Sequence, residues 1–255
     1  MIKGKKVVVV LPAYNAEQTL EKTIAEIDRG IVDLIILVDD ASKDATVNTA
    51  AKMNVLVYRH QVNLGYGGNQ KTCYKLALEQ GADIVVMLHP DYQYDPRLIQ
   101  AMGSMLAENI YDIVLGSRIL GSKIVSRGMP LWRWLGNRGL TFLQNLLLKE
   151  KLSEYHTGYR AFTREVLQNL PLAENSNDFI FDNQILCQAI LFNYRVGEVS
   201  CPTRYLKESS SISWRRSIIY GLGVFKVTLQ MVLEKNGVMH FRLFKRDGKK
   251  LTVNL

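Results

Sequence analysis

Short, continuous apolar runs alternate along the chain with segments whose apolar residues recur every three or four positions. Lys6–Leu11 is a β-branched run that stops at Pro12, which predicts a buried strand. Ala16–Asp28 sets Leu20, Ile24 and Ile27 on one helix face, with Gly30 as the stop. The alternation continues with strands over Leu34–Val38, Val55–Tyr58, Ile84–Leu88 and Ile113–Leu115. Between them fall helices capped by Asp44, opened by Gly65, Gly67 and Gly68, and begun at Pro96. The second half predicts a helix over Leu131–Leu148, a strand over Thr157–Phe162, a helix over Asp182–Leu191 and a strand over Tyr194–Ser200. An amphipathic helix over Ser217–Leu233 and a hairpin at Arg246-Asp247-Gly248-Lys249 close the chain.

Strands alternating with helices predict an α/β fold, a mainly parallel sheet with helices on both faces. A catalytic domain over 1–212 and a basic C-terminal extension over 213–255 are the expected organisation. Ligands in such sheets bind beyond the carboxyl ends of the strands. Tyr14-Asn15, Asp39-Asp40, Asp91 and Ser117-Arg118 all fall there. Asn15 and Asp44 also suit turns and caps.

The 255 residues are 47% hydrophobic and 22% charged, which excludes disorder and disulfide-rich scaffolds. Three separated cysteines fit a reducing compartment. With no run of about 18 uninterrupted apolar residues, no transmembrane helix is expected, and the short N-terminal apolar run does not read as a signal peptide. The net charge of +8 resides in residues 203–255, with eleven basic and three acidic side chains. From Ile113 to Lys149 there are six basic residues and no acidic one. Such segments attract phosphate or anionic lipid; no recognition motif supports nucleic-acid binding.

MLHPDYQYDP, at the end of the fourth strand, offers a candidate metal platform, with a partly buried structural histidine as the alternative for His89. Asp91 offers a hard oxygen, His89 an imidazole nitrogen and Gln93 a carbonyl oxygen, a set that suits Mn²⁺ as well as Mg²⁺.

LPAYNAEQTL, LVDDASKDAT, NLGYGGNQ, MLHPDYQYDP, VLGSR and YHTGYRAF, in this order, resemble the motifs of inverting family 2 glycosyltransferases with the GT-A fold. The subgroup they are most similar to contains dolichyl-phosphate mannose synthases and bacterial polyprenyl-phosphate glycosyltransferases. The resemblance implies nucleotide contacts from Pro12, Tyr14, Asn15, Glu17, Asp39, Asp40, Gly65 and Gly68. It implies a metal at His89, Asp91 and Gln93, on the family's DxDxQ motif. It implies acceptor-phosphate binding by Arg118, Arg133 and Asn137, and diphosphate binding by Arg204 in a shifted alignment. Gly158, Tyr159 and Arg160 match a family S-G-[FY]-R segment. The chain departs from the pattern at His89 (Asp in the family), at Glu154 (Asp) and at Thr157 (Ser), and near Asp182 a carboxylate moves by two positions.

The expected activity is transfer of a sugar, with inversion, from a UDP- or GDP-sugar to a polyprenyl phosphate, aided by Mn²⁺ or Mg²⁺. A phosphate acceptor is already anionic near neutral pH, with a second pKa of about 6, so it needs arginines more than a base. Asp91, Arg118, Arg133 and Asp182 are the expected catalytic group. The alternatives are a sugar-hydroxyl acceptor with Asp182 as base, or a non-catalytic nucleotide-sugar binder. The basic tail predicts either peripheral docking on an anionic membrane from the cytoplasmic side or a helix packed on its own domain. Self-association or a separate membrane partner stays open.

Overall fold

Val7–Ala13 (β1) is buried at all seven positions because helices cover both faces of its sheet. The computed structural model describes residues 1–121, 129–204 and 214–252. Val8 and Val10 pack against one helix layer, while Val7, Val9 and Leu11 pack against the other. The remaining strands are β2 (Leu34–Asp39), β3 (Leu56–Arg59), β4 (Ile84–Met87), β5 (Ile113–Ser117), β6 (Arg160–Thr163) and β7 (Val196–Ser200). Their order in the sheet is β3-β2-β1-β4-β6-β5-β7.

The first layer contains α3 (Tyr66–Glu79), α6 (Arg164–Asn169), α7 (Phe181–Leu191) and α8 (Trp214–Lys235), with Tyr74, Val166, Phe181 and Met231 in its core. The second contains α1 (Glu17–Ala25), α2 (Thr46–Ala50) and α4 (Ile99–Ala107), with Leu20, Ile24, Ile99 and Met102 buried. Each such side chain contributes about 1.5–3 kcal/mol on burial. α5 (Leu131–Leu148) packs chiefly on α8.

Every strand pair is parallel except those of β6, which runs antiparallel to β4 and β5. Arg160 pairs with both Met87 and Leu115. The start of β6 therefore lies beside the carboxyl ends of β4 and β5. The loop before it reaches the ligand-binding edge of the sheet from the opposite direction.

α8 keeps one face on the domain through Val224, Val227, Thr228 and Met231. Its register is fixed by a buried polar chain. Gln144 Nε2 donates to Thr228 Oγ1 at 3.0 Å, and Asn183 Nδ2 donates to Gln144 Oε1 at 3.1 Å. The expected boundary at 212/213 lies outside the described residues, as do Lys123 and Arg127.

The expected C-terminal hairpin is corrected. Gly248 N–H does close a turn onto Lys245 O at 3.0 Å, but residues 240–252 contain no strand. Phe244 is buried in the core, and the segment pairs instead with the 172–174 turn, where Ala173 N–H donates to Lys249 O. The alternating apolar residues thus cover α7 rather than each other.

Two glycine substitutions separate packing from helix propensity. A Cβ on Gly67 would fall 2.5 Å from Ser176 O and 2.7 Å from Phe181 Cβ, so Gly67→Ala is expected to cost about 1–3 kcal/mol. A Cβ on Gly139, inside α5, meets nothing within 4 Å, so Gly139→Ala is expected to stabilise by about 0.5–1 kcal/mol. Urea unfolding measures both.

Candidate active site

The carboxyl ends of β1 and β2 are cross-braced before any ligand arrives. Asn15, at φ 51°, donates its backbone N–H to Ser42 Oγ at 2.8 Å and accepts from Lys43 N–H at 2.9 Å. Glu17 accepts from Ala45 N–H at 2.7 Å. Pro12 pairs with Val38 inside the sheet, and Tyr14 stands exposed beside it. The two aspartates differ sharply. Asp40 is committed to the β3–α3 loop, accepting from Leu64 N–H at 2.8 Å and Gly65 N–H at 3.0 Å and pairing with His60 Nδ1 at 2.8 Å. Asp39 uses one oxygen on Ser42 N–H, at 3.1 Å, while its Oδ1 is buried with no partner among the described residues. An orphaned buried carboxylate oxygen is costly, and a base N–H or ribose hydroxyl would satisfy it. Gly65 (φ 85°) and Gly68 press against Asn177 and Leu64, so the glycines seat α3 on the 176–178 loop.

Beyond β4 and β5 lies a cavity of about 630 Å³. His89, Asp91 and Gln93 line it, and so do Arg118, Arg133, Asn137 and Asp182. The predicted nucleotide residues Pro12, Tyr14, Asn15, Glu17, Asp39, Asp40, Gly65 and Gly68 do not line it, and neither does Arg204, whose guanidinium pairs with Glu26 at 3.1 Å and lies over the Tyr92 ring, 4.2 Å from the centroid.

Arg118 and Asn137 are held by one buried carboxylate. Glu154 accepts from Arg118 Nε at 2.9 Å, from Arg118 Nη2, from Arg118 N–H at 2.8 Å and from Asn137 Nδ2 at 2.7 Å. Burial alone would raise its pKa, but the Arg118 charge and these hydrogen bonds outweigh burial and hold it below the usual carboxylate value. Arg133 stacks on Trp132, 5.1 Å from the ring.

Arg160, fully buried, donates to the backbone oxygens of Tyr155 (3.0 Å), Thr157 (2.8 Å) and Asp182 (2.5 Å). It therefore ties the 154–159 loop to the start of α7. His156, in this loop, lies 3.0 Å from Tyr220 Oη of α8, and its Nε2 is buried without a partner among the described residues. Burial pushes its pKa down to about 4, so the ring is neutral at pH 7.

Asp182 accepts from Tyr66 Oη–H at 2.6 Å and Gln70 Nε2–H at 3.1 Å. Tyr66 Oη also lies 3.0 Å from His89 Nε2. Burial pulls the His89 pKa below its usual value. Tyr66, Gln70, His156 and Tyr220 were not singled out by sequence. Tyr66, between two glycines, was the one whose position gave a signal.

No three His, Cys, Asp or Glu side chains among the described residues are grouped to enclose a metal. The donors at hand are one carboxylate, one imidazole and one amide, on Asp91, His89 and Gln93. That set fits an ion that arrives with diphosphate oxygens and keeps waters, since such ions need only one or two protein carboxylates. It does not fit a closed structural cage.

Glu154→Gln would leave the Arg118 guanidinium without its counter-charge. The expected loss is about 3–5 kcal/mol at pH 7, read by urea unfolding. Because the folded carboxyl titrates below its unfolded value of about 4.3, the stabilisation is present above that pH. It is lost as pH falls through the folded value, so the gap between wild type and variant should narrow in acid.

Several known proteins share this framework. A UDP-N-acetylglucosamine–dolichyl-phosphate N-acetylglucosaminyltransferase of Methanococcus voltae is 29% identical over 248 residues, covering 91% of this chain and 98% of its own. An undecaprenyl-phosphate mannosyltransferase of Micrococcus luteus is 25% identical over 233 residues, covering 88% and 93%. Glucosyl-3-phosphoglycerate synthase from Mycobacterium tuberculosis, solved with Mn²⁺, uridine diphosphate and phosphoglyceric acid, aligns with a TM-score of 0.68 at 19% identity. That alignment covers 93% of this chain and 80% of the synthase, and the shared fold is GT-A. The family model for glycosyl transferase family 2 matches residues 8–170, from β1 through α6, and the chain belongs to that family.

Proposed function

We propose that the chain transfers a sugar, with inversion at the anomeric carbon, from a UDP- or GDP-sugar to a polyprenyl-type lipid phosphate at a membrane surface. One observation carries this reading: a single cavity is lined both by the Asp91 group and by Arg118, Arg133 and Asn137. Its mouth is framed by apolar residues of α5 and α8, including Trp132, Leu140, Trp214 and Ile218. A ligand with an anionic head and a long apolar tail matches such walls. The relatives named for dolichyl- and undecaprenyl-phosphate transfer support the same acceptor class.

A phosphate monoester near pH 7 is itself the nucleophile, so the residues need to orient it rather than deprotonate it. Arg118, braced by Glu154, and Arg133 hold its oxygens in line with the bond that breaks. The acceptor oxygen bonds to the anomeric carbon as the nucleoside diphosphate leaves with the bonding electrons. Asp91, Gln93 and His89 would hold a divalent cation, which when bound neutralises charge on the departing diphosphate. The free oxygen of Asp39 takes a donor from the base or ribose.

The acceptor class also explains the outer surface. Phe142, Leu146, Ile219 and Leu222 are 65–71% exposed on α5 and α8, and Arg215, Arg216 and Lys226 belong to α8. α8 is long and apolar enough to cross a membrane. With one face packed into the domain, it is better suited to lie along an anionic leaflet, at about 1 kcal/mol per basic residue near the surface. On the cytoplasmic side, this would bring the cavity mouth to the lipid.

Arg133→Ala is expected to lower kcat/KM for a short polyprenyl phosphate by about 10–100-fold, with nucleotide affinity unchanged. Equal rates for variant and wild type would refute the acceptor assignment. A hydroxyl acceptor would instead give a rate that depends on an ionised carboxylate and survives Arg133→Ala. Ile219→Glu with Leu222→Glu should reduce sedimentation with anionic liposomes, most visibly at low salt, without lowering the melting temperature. Unchanged sedimentation would remove the membrane role from α8.

A further inference from the structure

Three elements converge on the His89 ring: the start of α3, the end of β4 and the first turn of α7. Protons can be assigned along the chain that joins them. Tyr74 Oη–H donates to Gln70 Oε1 at 3.0 Å, so the Gln70 amide turns its N–H toward Asp182. Asp182 accepts that N–H on one oxygen and the Tyr66 phenol proton, at 2.6 Å, on the other. A phenol has one proton. Having given it to Asp182, Tyr66 presents a lone pair to His89 Nε2, 3.0 Å away. That contact is a hydrogen bond only if the imidazole carries its proton on Nε2.

We propose that Tyr66, backed by Asp182 and Gln70, is a positioning residue that locks His89 in the Nε2–H tautomer. The Nδ1 lone pair is then the ring's ligand atom for the divalent cation of the donor diphosphate. The inference rests on the functional reading above and deepens it.

Two further observations agree. The Nε2 edge is walled off: a Cβ on Gly158 would lie 2.5 Å from His89 Nε2 and 2.8 Å from Cδ2. The ring is also held in plane, 15° from the Tyr66 ring with centroids 5.4 Å apart, and Tyr66 packs in turn on Phe179. Nδ1 has no hydrogen-bond partner among the described residues, and the ring lines the cavity. A carboxylate needs no such relay, because either oxygen can bind an ion. An imidazole at this position needs its tautomer fixed and its basicity supported from outside. Asp182 becomes the anchor of that relay and not the base that takes an acceptor proton.

The test uses ¹⁵N-imidazole correlation spectra of the full chain without metal at pH 7, with His89→Gln to assign the signals. The expected wild-type pattern is protonated Nε2 and bare Nδ1. Tyr66→Phe keeps the stacked ring, and there the fixed tautomer should give way to a mixture. Calorimetry with MnCl₂ and UDP or GDP should show the ion bound about 10–100-fold more weakly by that variant. A wild-type ring protonated on Nδ1, or a Tyr66→Phe spectrum identical to wild type, overturns the proposal. Absence of Mn²⁺-dependent nucleotide binding by wild type would overturn the donor reading instead, while the metal-free spectra decide the tautomer on their own.

Discussion

The site hangs on one buried cation. Arg160 is fully enclosed, and its guanidinium donates to three backbone carbonyls, on Tyr155, Thr157 and Asp182. A charge so far from water is tolerated only when its donors are met, and here the carbonyl oxygens of these three residues meet them. The consequence is geometric. The loop that supplies Glu154, His156 and Gly158 cannot drift from the helix that supplies Asp182, and β6 delivers both to the end of β4.

From that anchor the polar groups sort into two kinds. Some brace the protein: Asp40 on the β3–α3 loop, Asn15 and Glu17 across two loops, and Glu154 beneath Arg118. Others face the cavity or leave an atom unmatched: the Asp91 group and Arg118 line the cavity, and the second oxygen of Asp39 is buried without a partner among the described residues. The distinction follows from hydrogen-bond saturation. A carboxylate whose lone pairs already face backbone N–H groups has little left for substrate, whereas a buried oxygen without a partner stores a reason to bind one.

α5 and α8 carry the other half of the design. A buried polar chain, Gln144 with Thr228 and Asn183, fixes how the two helices meet α7. Their outward faces keep large apolar side chains in water. An aqueous surface does not favour such exposure, so these faces are unusual for a surface that meets only water.

The alternating strands and helices, the buried β1 and the polar residues at the strand ends were all legible in the sequence, because periodicity and punctuation are local properties. So was the grouping of His89, Asp91 and Gln93, which share one turn. The hairpin was misread because alternation reports that one face is buried, not which partner buries it; Phe244 found α7. The partner of Arg204 was not legible for a similar reason: its charge was plain, but the carboxylate it pairs with, Glu26, lies 178 positions away. The relay through Tyr66, the brace at Glu154 and the apolar mouth join residues from distant elements. The sequence alone therefore determined the fold class and the chemistry available at each strand end. Only the tertiary structure decided which of those groups are already satisfied by the protein, since hydrogen-bond partners are chosen across space and not along the chain.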